Sequence, residues 1–122
     1  MHVQRVPYSG RVVDIHYNKG KRYPAFQSKA SVENEANMVS VETNEGIIIT
    51  RQIAGMITRR IVCGLTPNQF VKTGDRLGVI IFGSRVEIYM PQNAKLCVNI
   101  GDKVKAGETL VSTFDRKYNI HK

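Results

Sequence analysis

A glycine-serine pair inside a β-rich stretch is the first feature of this sequence that could do chemistry. Residues 77–82 and 85–90 are two runs of strand-forming residues, and Gly83 and Ser84 join them without an ordinary turn sequence. Because glycine permits backbone angles that other residues resist, the Gly83 carbonyl can be held out of the ladder within reach of the Ser84 hydroxyl. An N-to-O acyl shift needs this arrangement. A Gly-Ser pair alone is more often a simple β-bulge.

The strands that must position this pair have clear sequence signals. Apolar residues at 86, 88 and 90 alternate with Arg, Glu and Tyr at 85, 87 and 89, which predicts a strand with one buried face. Residues 11–17 predict an earlier strand, and residues 38–42 and 47–52 predict a hairpin around the turn 43–46. Residues 22–37 lack a clear period and predict a loop with at most a short helical turn.

Composition limits the class of protein and its partners. The chain has 122 residues, enough for one domain spanning 1–122, and 18 Lys and Arg against 10 Asp and Glu give a net charge of +8. That charge favours an anionic partner, either a lipid surface or a nucleic acid. Single-strand nucleic-acid binders present aromatic platforms among basic residues, and this sequence has no Trp and only scattered Tyr and Phe. Nucleic acid is therefore the less favoured partner.

Membrane spans, disulfides and metal sites have no signal in the sequence. No apolar run approaches the roughly 18 residues of a membrane-spanning helix, so contact with a membrane is expected to be peripheral. Cys63 and Cys97 lie in apolar β-like runs and are predicted to be small buried thiols in a reducing cytosol. No metal is expected.

Two adjacent arginines could bind an anionic group. Arg59 and Arg60 precede the apolar run 61–63. Because neighbours on a strand point to opposite faces, only one of the two can reach a given pocket. A guanidinium offers two parallel hydrogen bonds, so the arginine that reaches the pocket would suit a phosphodiester.

Four segments together resemble one enzyme family. They are Phe-Gly-Ser-Arg-Val-Glu-Ile-Tyr-Met-Pro at 82–91, His-Val-x-Arg-x-Pro at 2–7, Lys-Ala-Ser-x-x-Asn-Glu at 29–35, and Gln-Ile-Ala-Gly followed by Arg-Arg-Ile-Val-Cys at 52–63. In order and spacing they resemble the phosphatidylserine decarboxylase family, in the short form that also includes archaetidylserine decarboxylases.

The resemblance implies a proenzyme that cuts itself. Attack of the Ser84 hydroxyl on the Gly83 carbonyl, followed by elimination and hydrolysis, would leave a β chain, 1–83, and an α chain, 84–122. The former Ser84 then becomes a pyruvoyl group, and no external cofactor is implied. This group accepts electrons while phosphatidylserine loses carbon dioxide and becomes phosphatidylethanolamine.

The resemblance also assigns roles to other residues. His2 matches an active-site histidine of the family and is the candidate for moving protons during cleavage, decarboxylation or both. Lys29 and Asn34 fall in a segment that is implied to line the substrate pocket, with Arg59 or Arg60 on the phosphate. The implied partners are phosphatidylserine and an anionic membrane surface, which the protein meets peripherally from the cytoplasmic side.

In the family, an aspartate upstream of the histidine motif orients that histidine. This chain begins at the histidine motif, so it resembles the carboxy-terminal part of the family without the amino-terminal segment. Asp14, Asp75 and Asp102 are interpretable as ordinary turn or strand residues. Three interpretations stay open: a fragment completed by another polypeptide, a remnant that folds without reacting, and a minimal enzyme. The alternative function is a non-catalytic scaffold domain that binds anionic lipid.

An internal repeat predicts the architecture. Residues 71–77, Val-Lys-Thr-Gly-Asp-Arg-Leu, recur at 104–110 as Val-Lys-Ala-Gly-Glu-Thr-Leu, and each copy places a glycine and an acidic residue at a turn before a strand. Such turns are typical of barrel-sandwich hybrids resembling lipoyl and biotinyl domains, which have two similar halves. A carrier function is disfavoured because the strand junction carries Gly83-Ser84 instead of a modifiable lysine.

Overall fold

β-Strands form most of the described chain. The computed structural model describes residues 2–24, 26–56, 60–81, 84–103 and 112–114. The elements in these ranges are β1 (His2–Arg5), β2 (Gly10–Asn18), α1 (Ala30–Glu33), β3 (Ala36–Thr43), β4 (Gly46–Ala54), β5 (Arg60–Cys63), β6 (Phe70–Val71), β7 (Arg76–Ile81), β8 (Ser84–Tyr89), β9 (Ala94–Leu96) and β10 (Ser112–Phe114). The prediction of a mainly β fold is confirmed.

Most of the strands belong to two antiparallel sheets. The larger sheet has the order β6-β2-β3-β4-β8, and the smaller sheet has the order β1-β7-β5. Strands β9 and β10 form a separate pair. The hairpin of β3 and β4 lies at the centre of the larger sheet, with Thr43 paired to Gly46, and it confirms the hairpin that the sequence predicts.

The hydrophobic core joins the larger sheet to the smaller one. Val39 and Val41 of β3 are buried in one cluster with Val12 of β2 and Leu77 of β7. The cluster is completed by Val6, Leu65 and Val71. Burying an aliphatic side chain of this size is worth about 1.5–3 kcal/mol. This cluster therefore supplies much of the free energy that holds the sheets together.

The helix covers the opposite face of the larger sheet. α1 packs against β4, and Ala30, Ala36 and Ile53 are all buried. α1 has four residues, which confirms the short helical turn that the sequence allows between residues 22 and 37. α1 and Asn34 therefore lie over the end of β4.

Two predictions of burial are wrong in part. β8 is an edge strand with a neighbour only on its β4 side, and for that reason Val86 is 41% exposed although it lies on the apolar face of the strand. Cys63 is half-buried against the core, as the sequence suggests, but Cys97 is exposed. Cys97 follows the end of β9, whose last residue, Leu96, is itself 65% exposed.

Two turns of the fold share one geometry. Gly74 and Gly101 have φ values of 90° and 94°, in the left-handed region that glycine adopts at least cost. The residue after each glycine is an aspartate whose Oδ2 accepts the N–H three residues before it. Asp75 accepts the Lys72 N–H at 2.9 Å, and Asp102 accepts the Asn99 N–H at 2.8 Å.

The turn at 98–102, Val-Asn-Ile-Gly-Asp, therefore shares the geometry of the turn at 71–75, Val-Lys-Thr-Gly-Asp. The copy expected at 104–110 lies outside the described residues. Two similar halves, and the resemblance to lipoyl domains, stay predictions. Asp75 and Asp102 are turn residues, as expected, and Asp14 is exposed on β2.

Gly78 is expected to be intolerant of any side chain. It lies in β7, and a Cβ there would be 2.0 Å from the Val62 carbonyl oxygen and 2.7 Å from Gln52 Nε2. Gly78→Ala should lower the free energy of unfolding in urea by about 3 kcal/mol, because backbone would have to move. The control is Gly64→Ala, whose Cβ would be 3.7 Å from its nearest neighbour and should change stability by less than about 0.5 kcal/mol. Equal stabilities for the two variants would contradict this packing.

Candidate functional site

Ser84 begins the strand that follows the passage of the chain from one sheet to the other. β7 is the central strand of the smaller sheet and ends at Ile81, and β8 begins at Ser84 as an edge strand of the larger sheet. Ser84 is paired with Ala54, the last residue of β4. Gly83 lies outside the described residues. The sequence prediction that two strands meet at this pair is confirmed.

A second crossing between the sheets lies beside the first. β4 ends at Ala54 in the larger sheet, and β5 begins at Arg60 in the smaller one. Arg60 is paired with Ile81, just as Ala54 is paired with Ser84. The two strand pairs therefore change sheets together. Arg59 lies outside the described residues, so only Arg60 of the two candidate arginines is placed, and its backbone lies at this end of the fold.

The strand register brings His2 to the same end. His2 is the first residue of β1 and pairs with Ile80, next to the last residue of β7. Because β1 runs antiparallel to β7, the beginning of β1 lies where β7 leads towards Ser84. The backbone thus brings together three positions that are far apart in sequence: His2, Arg60 and Ser84.

Three buried amide side chains connect the two sheets near these positions. The side chain of Gln52 in β4 donates from Nε2 to Gln4 Oε1 at 2.9 Å and to the Val62 carbonyl at 3.1 Å. Its Oε1 accepts from Asn37 Nδ2 at 3.1 Å. Gln52 is fully buried, and Gln4 and Asn37 are nearly so. This amide network links β3 and β4 of the larger sheet to β1 and β5 of the smaller one.

The network fixes the spacing of β1, which begins at His2, and β4, the strand that pairs with Ser84. Gln4 lies two residues after His2 in β1, and Gln52 lies two residues before Ala54, the partner of Ser84. A buried amide that loses a partner costs about 1–3 kcal/mol, so the network strongly favours one relative position of β1 and β4. None of the three is among the site residues that the sequence indicates. Asn37 and Gln52 carry a local signal, since each is an uncharged amide next to apolar residues of its strand, whereas Gln4 in the short strand His-Val-Gln-Arg carries none.

Asn34 anchors the loop that covers the end of β4. Its Oδ1 accepts the Tyr23 N–H at 2.9 Å, and its Nδ2 donates to the Tyr23 carbonyl at 2.8 Å and to the Ala54 carbonyl at 2.6 Å. Asn34 is buried, and both of its amide hydrogens are donated to main-chain oxygens. This geometry favours a role in positioning Ala54, and direct contact with a substrate stays a prediction.

Glu35 holds the same loop from the other side. Its carboxylate accepts from Arg22 at 3.0 Å and from the hydroxyl of Tyr17 in β2. The hydrogen bond to Glu35, together with desolvation, raises the pKa of Tyr17 above its ordinary value. Asn34 and Glu35, which end the Lys-Ala-Ser-x-x-Asn-Glu segment, are thus both used to attach the loop to the sheet.

Lys29 lies on the exposed side of this loop. Its ammonium is 4.1 Å from the centre of the Tyr23 ring, and the ammonium of Lys21 is 5.7 Å from the same ring. A hydrogen bond to Tyr23 is the largest cause that raises the pKa of Lys21, and a hydrogen bond to Glu33 is the second. The loop therefore presents two cations around one aromatic ring, and the predicted contact of Lys29 with an anionic substrate is chemically consistent with this surface.

Other features of the described chain do not compete with this end of the fold. A shallow depression of about 430 Å³ lies at the opposite end of β3, against Thr43, Glu42 and Phe70. Among the described residues, no three His, Cys, Asp or Glu side chains are close enough to hold a metal ion. The same residues include no helix that is long and apolar enough to cross a membrane.

Comparisons with known proteins match nearly the whole chain. Residues 1–112 match the family model described as phosphatidylserine decarboxylase. The chain is 50% identical over 115 residues to a phosphatidylserine decarboxylase proenzyme of Syntrophus aciditrophicus, covering 93% of this chain and 54% of that protein. It is 47% identical over 118 residues to the proenzyme of Rickettsia felis, covering 96% of this chain and 51% of that protein.

The chain thus spans about half the length of the curated relatives that it matches. A Wolbachia proenzyme gives a similar result, with 45% identity over 118 residues. No solved structure matches the chain.

The amide network is expected to be essential to the fold at this end. Gln52→Ala should lower the free energy of unfolding by about 3 kcal/mol, because it creates a cavity and leaves Gln4, Asn37 and the Val62 carbonyl without their shared partner. Gln92→Ala, at an exposed position, is the matched control and should change it by less than about 0.5 kcal/mol. Chemical denaturation of both variants measures the difference, and a Gln52 variant as stable as the control would exclude a structural role for the network.

Proposed function

The chain belongs to the phosphatidylserine decarboxylase family, and we propose that it cuts itself between Gly83 and Ser84 and then decarboxylates phosphatidylserine to phosphatidylethanolamine. The observation that carries this proposal is the position of Ser84 as the first residue of a strand, at the point where the chain changes sheets beside β1 and β5. Since the chain spans about half of its relatives, the proposal concerns what this half contributes.

The fold can keep the two products of such a cut together. The products would be residues 1–83 and 84–122, within the single domain expected from the sequence. β8 pairs with β4 through six residues, from Tyr89 with Ile49 to Ser84 with Ala54. Farther along, the Tyr8 and Phe114 rings meet edge to face at 5.1 Å. These contacts would join the chains without the covalent link.

The backbone at Ser84 also tolerates the loss of its nitrogen. Conversion to a pyruvoyl group removes the N–H of residue 84. The N–H of its partner Ala54 donates to the Glu35 carbonyl at 2.9 Å, and the Ala54 carbonyl accepts from Asn34, so both point towards the loop. The main-chain hydrogen bonds of successive residues in an antiparallel strand alternate between its two neighbouring strands. The first residue of β8 that exchanges main-chain hydrogen bonds with β4 is therefore Arg85, opposite Ile53. Position 84 can therefore change its chemistry without a break in the described ladder.

The residues around position 84 suit the chemistry of a pyruvoyl cofactor formed from Ser84. Such a group supplies an electron sink for the loss of carbon dioxide. The chain itself must bind the substrate and handle protons at that point. Residue 2 begins β1, two residues before Gln4, which bonds across the sheets to Gln52. This register supports His2 as the group that exchanges protons.

Cations on the chain can hold the phosphate of the lipid. Arg60 is placed by its pairing with Ile81 at the same end of the fold, and Lys29 lies on the exposed loop over β4. With a net charge of +8, the chain is attracted to anionic lipid, which supports a peripheral position on the cytoplasmic side of a membrane. Asn34 serves this site by positioning Ala54, and Arg59 stays an alternative to Arg60.

Self-cleavage is the first test. Intact-mass measurement under denaturing conditions should find two species, matching 1–83 and a pyruvoyl-blocked 84–122. Ser84→Ala should give only the uncut mass, because it removes the attacking hydroxyl. Ser28→Ala, an exposed serine in the loop, is the control and should be cut like the wild type. An uncut wild-type chain would refute autonomous processing and favour a non-catalytic domain that binds anionic lipid.

The role of His2 is tested separately. His2→Ala should lower the rate of cleavage or of carbon dioxide release from phosphatidylserine by about a hundredfold or more, the usual contribution of a positioned general acid or base. His16→Ala is the matched control, because His16 is exposed on β2 and bonds only Asn18 among its described contacts. It should leave both rates unchanged. If His2→Ala cleaves and turns over at wild-type rates, the proton-transfer role of His2 is wrong.

A further inference from the structure

Four side chains on one face of β4 and β8 form an ion-pair cluster centred on Glu87. Glu87 Oε1 accepts from Arg51 Nη1 at 3.0 Å and from the Tyr89 hydroxyl at 2.6 Å. Glu87 Oε2 pairs with Arg85 Nη2 at 3.0 Å. We name Arg51, Arg85, Glu87 and Tyr89 the Glu87 clamp. The clamp connects β4 to side chains of β8, among them Arg85, the second residue of that strand.

The clamp differs from an ordinary surface ion pair. The Glu87 and Arg51 side chains are 16% and 19% exposed, and both carboxylate oxygens of Glu87 are bonded. By contrast, the cross-strand pair of Arg11 and Glu42 has a 3.7 Å separation and side chains that are 38% and 58% exposed. Exposed pairs contribute little because water and salt screen them, whereas partly buried, multiply bonded charges contribute more.

The position of the clamp matters because the first residues of β8 can separate from β4 by fraying. β8 is an edge strand, and strand ends fray unless they are held. A cut before Ser84 would make β8 the free end of a new chain. A pyruvoyl end has neither an ammonium charge nor an N–H, so it cannot anchor itself by an ion pair or a ladder bond. The first residue that can hold it is Arg85, whose side chain bonds to Glu87.

We propose that Glu87 is a positioning residue, whose clamp fixes the start of β8 and thereby holds the pyruvoyl end in the site after cleavage; this inference rests on the proposed function. Glu87 acts through Arg85, next to position 84, and through Arg51, on the partner strand. The clamp lies on the face of β8 that Arg85, Glu87 and Tyr89 share, and it restrains the strand from that face.

The test compares Glu87→Gln with Glu42→Gln in the full chain. Glu87→Gln keeps the shape of the side chain but removes the charge that bonds both arginines, whereas Glu42→Gln neutralises the more exposed pair of β2 and β3. Steady-state release of carbon dioxide from phosphatidylserine gives kcat and KM. Hydrogen exchange followed by mass spectrometry reports local opening of β8, in the processed protein and in an uncut Ser84→Ala background.

We expect Glu87→Gln to be processed to completion but to show about a tenfold lower kcat with little change in KM, because the reacting end is held less often in place. Exchange should become about tenfold faster in 85–87 of the processed protein, with a smaller change in the uncut chain. Glu42→Gln should change none of these. Equal kcat for Glu87→Gln and wild type would overturn the inference, as would faster exchange spread evenly over β2 and β3.

Failure of the proposed function gives a different result. If the wild-type chain is never cut, autonomous self-cleavage is refuted, and exchange in the uncut chain then decides whether the clamp holds the start of β8. Faster exchange confined to β8 in Glu87→Gln would support the hold on its first residues. Unchanged exchange would overturn it.

Discussion

The antiparallel ladder between β4 and β8 is the constraint on which the rest of the site depends. It fixes Ser84 opposite Ala54, and Ala54 is fixed in turn by the Asn34 amide and the Glu35 carbonyl on its other side. A shift of one residue in this register would turn every side chain of β8 to the opposite face. The loop from 19 to 35 thus influences the junction through β4, although it does not belong to either strand at the junction.

Besides the hydrophobic core, uncharged amides join the two sheets, and the choice of group has a physical reason. A buried carboxylate or ammonium in place of Gln52 would carry a large desolvation cost, whereas an amide can both donate and accept. Gln52 uses both abilities, with Gln4 and the Val62 carbonyl on one side and Asn37 on the other. Directional bonds specify position more narrowly than aliphatic packing, so the network favours one relative position of the two sheets.

Sequence patterns predicted the strands well because their periods depend on local preferences. The hairpin of β3 and β4 followed from β-branched runs and turn chemistry, and the break at Gly83-Ser84 followed from a glycine between two strand-forming runs. The exposure of Val86 and Cys97 did not, because burial depends on which strands become edges. The amide network was equally out of reach, since it joins residues 4, 37 and 52 through pairings that the sequence does not display. The turn at 98–102, which shares the geometry of 71–75, was not predicted, because only its valine, glycine and aspartate match that turn and its other positions differ.

Cutting the chain between β7 and β8 changes the thermodynamic character of the ladder between β4 and β8. In one polypeptide this ladder is an internal contact, and unfolding does not depend on protein concentration. In two polypeptides the same ladder becomes a subunit interface, so complete unfolding is also a dissociation, and the midpoint of unfolding rises with concentration. Two residues, 82 and 83, separate the described ends of the strands, so the uncut chain holds them at a high effective concentration. Assembly before cleavage therefore gives the interface a correct register that two separate chains would have to find by collision.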